Sequence, residues 1–220
     1  MTEHAPSIQD VAAPHREWIF TLARAVIAAV AALVITFTTG HDARLGLLVF
    51  AGFALATGLL LVVRTWRGRA RGIERVLLVA RLAVSVVAGA AALVAASGDS
   101  AALVEFLLLV TGWAVVTGML EFYAGFRTRP RGLVERDALV VGVLGVLLAI
   151  VFLIVPPDFQ QSFRSPEGGN GVVTSQVVLV GVLGAYFAIV AVYLGIGAFS
   201  LKWAKAADAA TDTDSERSSS

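Results

Sequence analysis

Three charged side chains interrupt otherwise apolar runs of this sequence: Arg24, Arg81 and Glu121. At the centre of a membrane helix an arginine costs about 2.5–3.5 kcal/mol. Charges in such places pair, reach back to the polar edge, or take part in moving charge. Arg24 lies six residues past Trp18, Arg81 six past Arg75, and Glu121 six before Arg127. Six residues are nearly two helical turns, so all three share one depth inside the same edge. A guanidinium on its long stem can reach outward from there. A glutamate reaches less far and needs a partner or a proton. The chemistry on offer is therefore an ion pair of Glu121 with Arg81 or Arg24. It serves either as a structural lock or as part of a path for protons or a small substrate.

Other candidates are few. The chain has no cysteine, which excludes disulfides, thiolate metal sites and a cysteine nucleophile. His4, His15 and His41 fall outside the apolar runs, leaving nothing there for a metal site or a general base. His41-Asp42 reads as an incidental polar turn, and Glu105 as an interfacial residue. There is no metalloprotease-type His spacing, no glycine-rich phosphate loop opening a helix, and no serine with a base near it in sequence. The expectation is a protein that is not an enzyme and needs neither cofactor nor metal.

The elements that must position the charged residues follow from composition. Of 220 residues, 58% are hydrophobic and only 15% charged. A soluble domain averages about 25% charged. Six apolar runs, at 18–38, 45–63, 76–96, 102–126, 138–155 and 176–201, are each near the roughly 20 residues that cross a bilayer. Backbone groups facing lipid must be satisfied within their own segment, so the runs are expected to be helices. Pro156-Pro157 closes the fifth. Residues 158–175, with Gly168-Gly169-Asn170-Gly171, read as a flexible loop. The tails, 1–17 and 204–220, are poor in apolar residues; the first reads as loose and the second as disordered.

Basic residues set the orientation. Thirteen Lys and Arg lie in the termini and in the connections after the second and fourth runs, against Arg44 and Arg164 on the other side. The positive-inside rule then places both termini in the cytoplasm of a cell whose inner membrane holds the protein. Trp18, Trp66, Phe126 and Trp203 fall at that same interface, where amphipathic rings belong. The bilayer is the expected partner, and the arginine-rich exits suit anionic lipid heads. Basic residues confined to a membrane surface argue against nucleic acid.

An internal repeat joins these runs in pairs. Gly52-Phe53-Ala54-Leu55-Ala56-Thr57-Gly58 returns sixty positions later as Gly112-Trp113-Ala114-Val115-Val116-Thr117-Gly118, and 47–72 matches 107–132 without a gap. Both copies leave through an aromatic and alternating arginines. Ala31-Ala32-Leu33-Val34 recurs at 91–94 with the same offset, and Ala185-Tyr186 opens a degenerate third copy. The expected fold is an all-α membrane domain over 18–203. It comprises six transmembrane helices in three tandem hairpins, about 18–72, 73–132 and 133–203, around a pseudo-threefold axis along the membrane normal. Gly52, Ala54, Gly58, Gly112, Ala114 and Gly118 are the candidate packing positions. They suit close approach within the chain or a homo-oligomer face.

The pattern resembles the HdeD-like family of bacterial acid-resistance membrane proteins. Its carriers are Ala23-Arg24, Ala80-Arg81, Gly112-Trp113 with Gly118, Phe126-Arg127-Thr128-Arg129, and Pro156 closing the fifth run. The first and third odd helices depart from the family in ending at Gly40 and Ser97 where it has proline. The resemblance implies six spans in the inner membrane and a link to acid or envelope stress, and it brings no catalytic residue. The alternative reading is a small transporter or channel whose polar path uses Glu121, Arg24 and Arg81.

Overall fold

The computed structural model describes residues 14–67, 72–98, 103–127, 133–164 and 170–218. The elements are α1 (Pro14–Phe37), α2 (Ala43–Arg67), α3 (Ile73–Ser97), α4 (Leu103–Arg127), α5 (Leu133–Ile154), β1 (Gln160–Arg164), β2 (Asn170–Thr174) and α6 (Ser175–Ser218). All six helices are long and apolar enough to cross a membrane. The chain is an all-α, multi-pass membrane protein. Arg64, Arg67, Arg75, Arg127 and Lys202 lie toward one end of the bundle, called the basic end below.

Two expectations about the connections change. The 158–175 segment, read as a loop, contains an antiparallel hairpin pairing Gln160 with Thr174 and Arg164 with Asn170. Phe163, Val172, Val173 and Thr174 favour extended backbone, and the fold anchors both ends of the ribbon. Ser175 donates from its backbone N–H to the Phe159 carbonyl (2.9 Å) and from its hydroxyl to the Pro157 carbonyl (2.7 Å). The second correction concerns the end of the chain. Its 204–218 backbone continues α6 as helix, where disorder was expected. Low hydrophobicity pointed to disorder, but Ala204, Ala206, Ala207, Ala209 and Ala210 have the highest helix propensity of any residue. The expected loose tail at 1–13 lies outside the described residues.

Helix packing is alternately close and loose. The three close pairs are α2 with α3, α4 with α5, and α1 with α6. The first two are joined through the basic connections, and the third closes the ring between the first helix and the last. Glycine makes the α4–α5 approach. A Cβ on Gly142 would stand 2.5 Å from the Phe122 backbone nitrogen, and one on Gly118 would stand 3.0 Å from the Gly142 carbonyl oxygen. With no lipid-driven hydrophobic force between helices, such backbone proximity is what dispersion needs. In α2 and α3, Gly58 faces Val86, and Gly89 faces Leu55.

The aromatic residues of the repeat meet at the centre. Phe53 and Trp113 stand edge to face with ring centroids 5.6 Å apart, and Trp113 and Tyr186 are 6.5 Å apart, also edge to face. Phe50 and Phe187 complete the layer, at 5.4 Å from Trp113 and 4.4 Å from Phe53. Each of α2, α4 and α6 thus contributes its repeat-equivalent aromatic to one buried cluster. This cluster lies about two helical turns from Glu121 along α4.

Candidate functional site

The charged layer begins with Glu121, which is 2% exposed. On α4 it follows Trp113 by eight residues and Thr117 by four, so it continues the buried stripe of that helix. The guanidinium groups of Arg24 and Arg81 both donate through Nη2 to the same carboxylate oxygen, Glu121 Oε1. Arg81 is buried on α3 and Arg24 reaches in from α1. Each of the three close helix pairs therefore supplies one member of the cluster. One oxygen ties the three pairs together.

The cluster is not saturated. Glu121 Oε2 and Arg24 Nε are buried without a hydrogen-bond partner among the described residues. Two guanidinium groups on one carboxylate also leave an excess positive charge. Asp137, the charged residue immediately before the apolar run of α5, offsets it, within electrostatic reach of Arg24. The Tyr193 hydroxyl of α6 donates to the Asp137 carboxylate. A Cβ on Gly197 would stand 2.8 Å from Asp137 Oδ2, so the carboxylate occupies the space that glycine leaves open. Tyr186 of the aromatic layer and Arg64 of α2 complete the electrostatic surroundings.

Sequence reasoning isolated Arg24, Arg81 and Glu121, and the fold brings them together. It missed Asp137, which closes a run of basic residues and reads as part of a loop. It also missed Tyr193, which looks like an ordinary apolar-run aromatic, and placed Tyr186 in the repeat without connecting it to the charges. The available signal was a tyrosine and a glycine four apart, Tyr193 and Gly197, on one face of α6 at the depth of a carboxylate.

The packing candidates divide. Ala54, Gly58, Ala114 and Gly118 are buried at helix contacts. Gly52 and Gly112 are exposed, and a Cβ at either would meet nothing within 4 Å. Packing within the chain is thereby corrected for these two, which face outward. Two residues along a helix is a turn of about 200°, which carries 52 and 112 away from the face that holds 54 and 114.

Below the aromatic layer the repeat-equivalent threonines differ. Thr117 donates to the Trp113 carbonyl (2.6 Å), while Thr57 Oγ1 is buried without a partner among the described residues. Trp113 Nε1–H donates to Ser85 Oγ at 3.3 Å, joining α4 to α3. The turn residues at the other end have structural work. Asp42 accepts the Leu45 N–H at 2.8 Å as the cap of α2, and His41 Nε2 lies 3.0 Å from the Ile35 carbonyl.

Two concavities are apolar. One, of about 440 Å³, opens outward between α3 and α4 over Val84, Val87, Ala91, Leu108, Gly112 and Val116. The other, of about 220 Å³, lies beside Pro156, between the end of α5 and Val178. Neither is lined by Arg24, Arg81 or Glu121. Among the described residues no group of three His, Cys, Asp or Glu is placed to hold a metal ion.

Fold and site together define a multi-pass membrane protein with a buried charge cluster at the basic end of its bundle. Comparison with protein-family models, with curated proteins and with solved structures finds no match in any of the three.

Proposed function

We propose that this is an inner-membrane protein of the HdeD-like kind. In this reading both termini face the cytoplasm, and the protein supports survival in acid or under envelope stress without covalent catalysis. The reading rests on the repeated hairpin pattern at 52–72 and 112–132, with Arg24 and Arg81 at matched depth in the odd helices. The observation that carries it is the Arg24–Glu121–Arg81 cluster. The ionisable groups Arg24, Arg81 and Glu121 at the heart of the bundle are engaged with one another. A bundle of this kind acts by shaping the bilayer, by holding a partner, or by letting an internal charge change state. Anionic lipid heads are the proposed contacts of the arginine-rich exits.

The test is a deletion strain challenged at low pH and complemented with wild type or Glu121→Gln. Sensitivity to acid, rescued by wild type, is expected; growth indistinguishable from the parent at low pH overturns the stress role. The buried polar cluster also favours a second reading, a small transporter with a path past Arg24, Arg81 and Glu121. Substrate-dependent uptake or current in liposomes holding the purified protein is the result that selects it.

A further inference from the structure

The two carboxylates of the charge cluster each keep one buried oxygen without a hydrogen-bond partner among the described residues, and they differ in what holds the rest of the group. Glu121 carries two guanidinium groups on one oxygen. Asp137 has a single neutral donor, the Tyr193 hydroxyl, and its Oδ2 is buried with no hydrogen-bond partner among the described residues. The cation nearest in effect, Arg24, is already committed to Glu121. A carboxylate oxygen out of water and without a donor gains from carrying a proton, and Asp137, unlike Glu121, has no guanidinium among the described residues bonded to it to hold the charge.

The surroundings allow that proton to arrive. Asp137 is only half-buried, at the basic end, and Gly197 leaves its carboxylate against bare α6 backbone. The α5–α6 contact is looser than any of the three close pairs, so this side of the ring is the least tightly sealed. The charged and titratable groups acting on Asp137 are Arg24 from α1 and Tyr193 from α6, and Glu121 of α4 is linked to it through Arg24. Arg81 of α3 holds Glu121 from the other side, with Arg64 of α2 near Arg81 and Tyr186 of α6 in the field of all three.

We propose that Asp137, rather than Glu121, is the proton-binding group of the buried cluster, taking one proton on Oδ2 from the basic end of the bundle. In the ionised state Asp137 and Glu121 balance Arg24 and Arg81. Uptake of one proton converts the Asp137 carboxylate to the neutral acid and leaves the four groups with one net positive charge. Glu121 keeps both arginines throughout, so the three helix pairs stay tied while the α5–α6 contact changes charge. This inference rests on the packing at Asp137 and not on the stress role.

The experiment is infrared difference spectroscopy of the full chain in lipid vesicles, titrated from acid to neutral pH. Exposed carboxyls ionise near pH 4. A neutral-acid carbonyl band persisting above that range is expected. The band should be lost in Asp137→Asn and retained in Glu121→Gln. Tyr193→Phe removes the donor that the described residues supply to the ionised form and should make the band persist to higher pH than in wild type. Absence of the band from wild type, or its survival in Asp137→Asn, overturns the proposal. So does loss of the band in Glu121→Gln when helicity is unchanged. Should Asp137→Asn fail to fold, the Tyr193→Phe titration decides alone, an unmoved band counting against the assignment. A strain without an acid phenotype would remove the stress role and leave these spectra unaffected.

Discussion

Arg24 and Arg81, on helices α1 and α3, converge on one atom, Oε1 of Glu121, which is 97 positions from the first and 40 from the second. This is a polar point at which the three closely packed helix pairs are joined. Removing the carboxylate charge leaves two guanidinium groups facing each other away from water. Breaking a buried pair from one side costs about 3–5 kcal/mol, because the charge left behind is uncompensated.

Glu121→Gln is therefore expected to be strongly destabilising, by about 3 kcal/mol. Thermal unfolding in detergent, followed by circular dichroism, measures it. Adding Arg81→Gln should recover part of the loss, since the second substitution removes a stranded charge. Equal or greater instability in the double variant would show that the cluster does not act as a unit.

Glycine at the α4–α5 contact gives a separate prediction. Gly142→Ala places a methyl 2.5 Å from the Phe122 backbone nitrogen, where no side-chain rotation can yield. A loss of about 2 kcal/mol or more is expected from forcing the helices apart. Gly52→Ala and Gly112→Ala meet open space, and alanine is the better helix former by about 1 kcal/mol. These two should be neutral or stabilising in the same unfolding assay. Destabilisation at 112 would reveal a partner on that face.

The depth of Glu121 is legible in the sequence because its distance from Arg127 is counted along one helix. So is the chemistry it requires, since a carboxylate among apolar residues must be paired. Which arginine it takes is not legible. That depends on helix order around the ring, and the fold brings in both. The close pairing of α4 with α5 is hidden for a similar reason. The repeat links helices in tandem hairpins, whereas Gly118 and Gly142 show their complementarity only once the backbones face each other. Asp137 ends a basic run and looks like a solvated loop residue. Only the gap at Gly197 and the hydroxyl of Tyr193, both on α6, turn it inward.

Orientation yields a third prediction. Lys and Arg concentrate at the end that holds both termini, thirteen against two. A reporter fused after residue 220 should be active only when its fluorescent or enzymatic form requires the cytoplasm. A cysteine introduced in the β1–β2 hairpin should react with an impermeant thiol reagent added outside, because that hairpin lies at the opposite end. Outside labelling of a cysteine at 205 instead would reverse the topology.

The aromatic layer supplies the last prediction. Trp113 is 4% exposed and touches Phe50, Phe53 and Tyr186, so it contacts two of the other close pairs from the α4–α5 pair. Trp113→Ala removes the ring that fills this centre and should cost about 3–5 kcal/mol. Trp113→Phe keeps an edge-to-face aromatic but loses the donor to Ser85 Oγ. A cost of about 1 kcal/mol is expected for that hydrogen bond, plus a smaller packing loss. Ser85→Ala should cost a similar 1 kcal/mol or so alone and almost nothing on top of Trp113→Phe. The four variants form a double-mutant cycle read by detergent unfolding. Full additivity between the two substitutions would mean that the indole N–H and the serine hydroxyl do not support one another, and that the layer is held by ring packing alone.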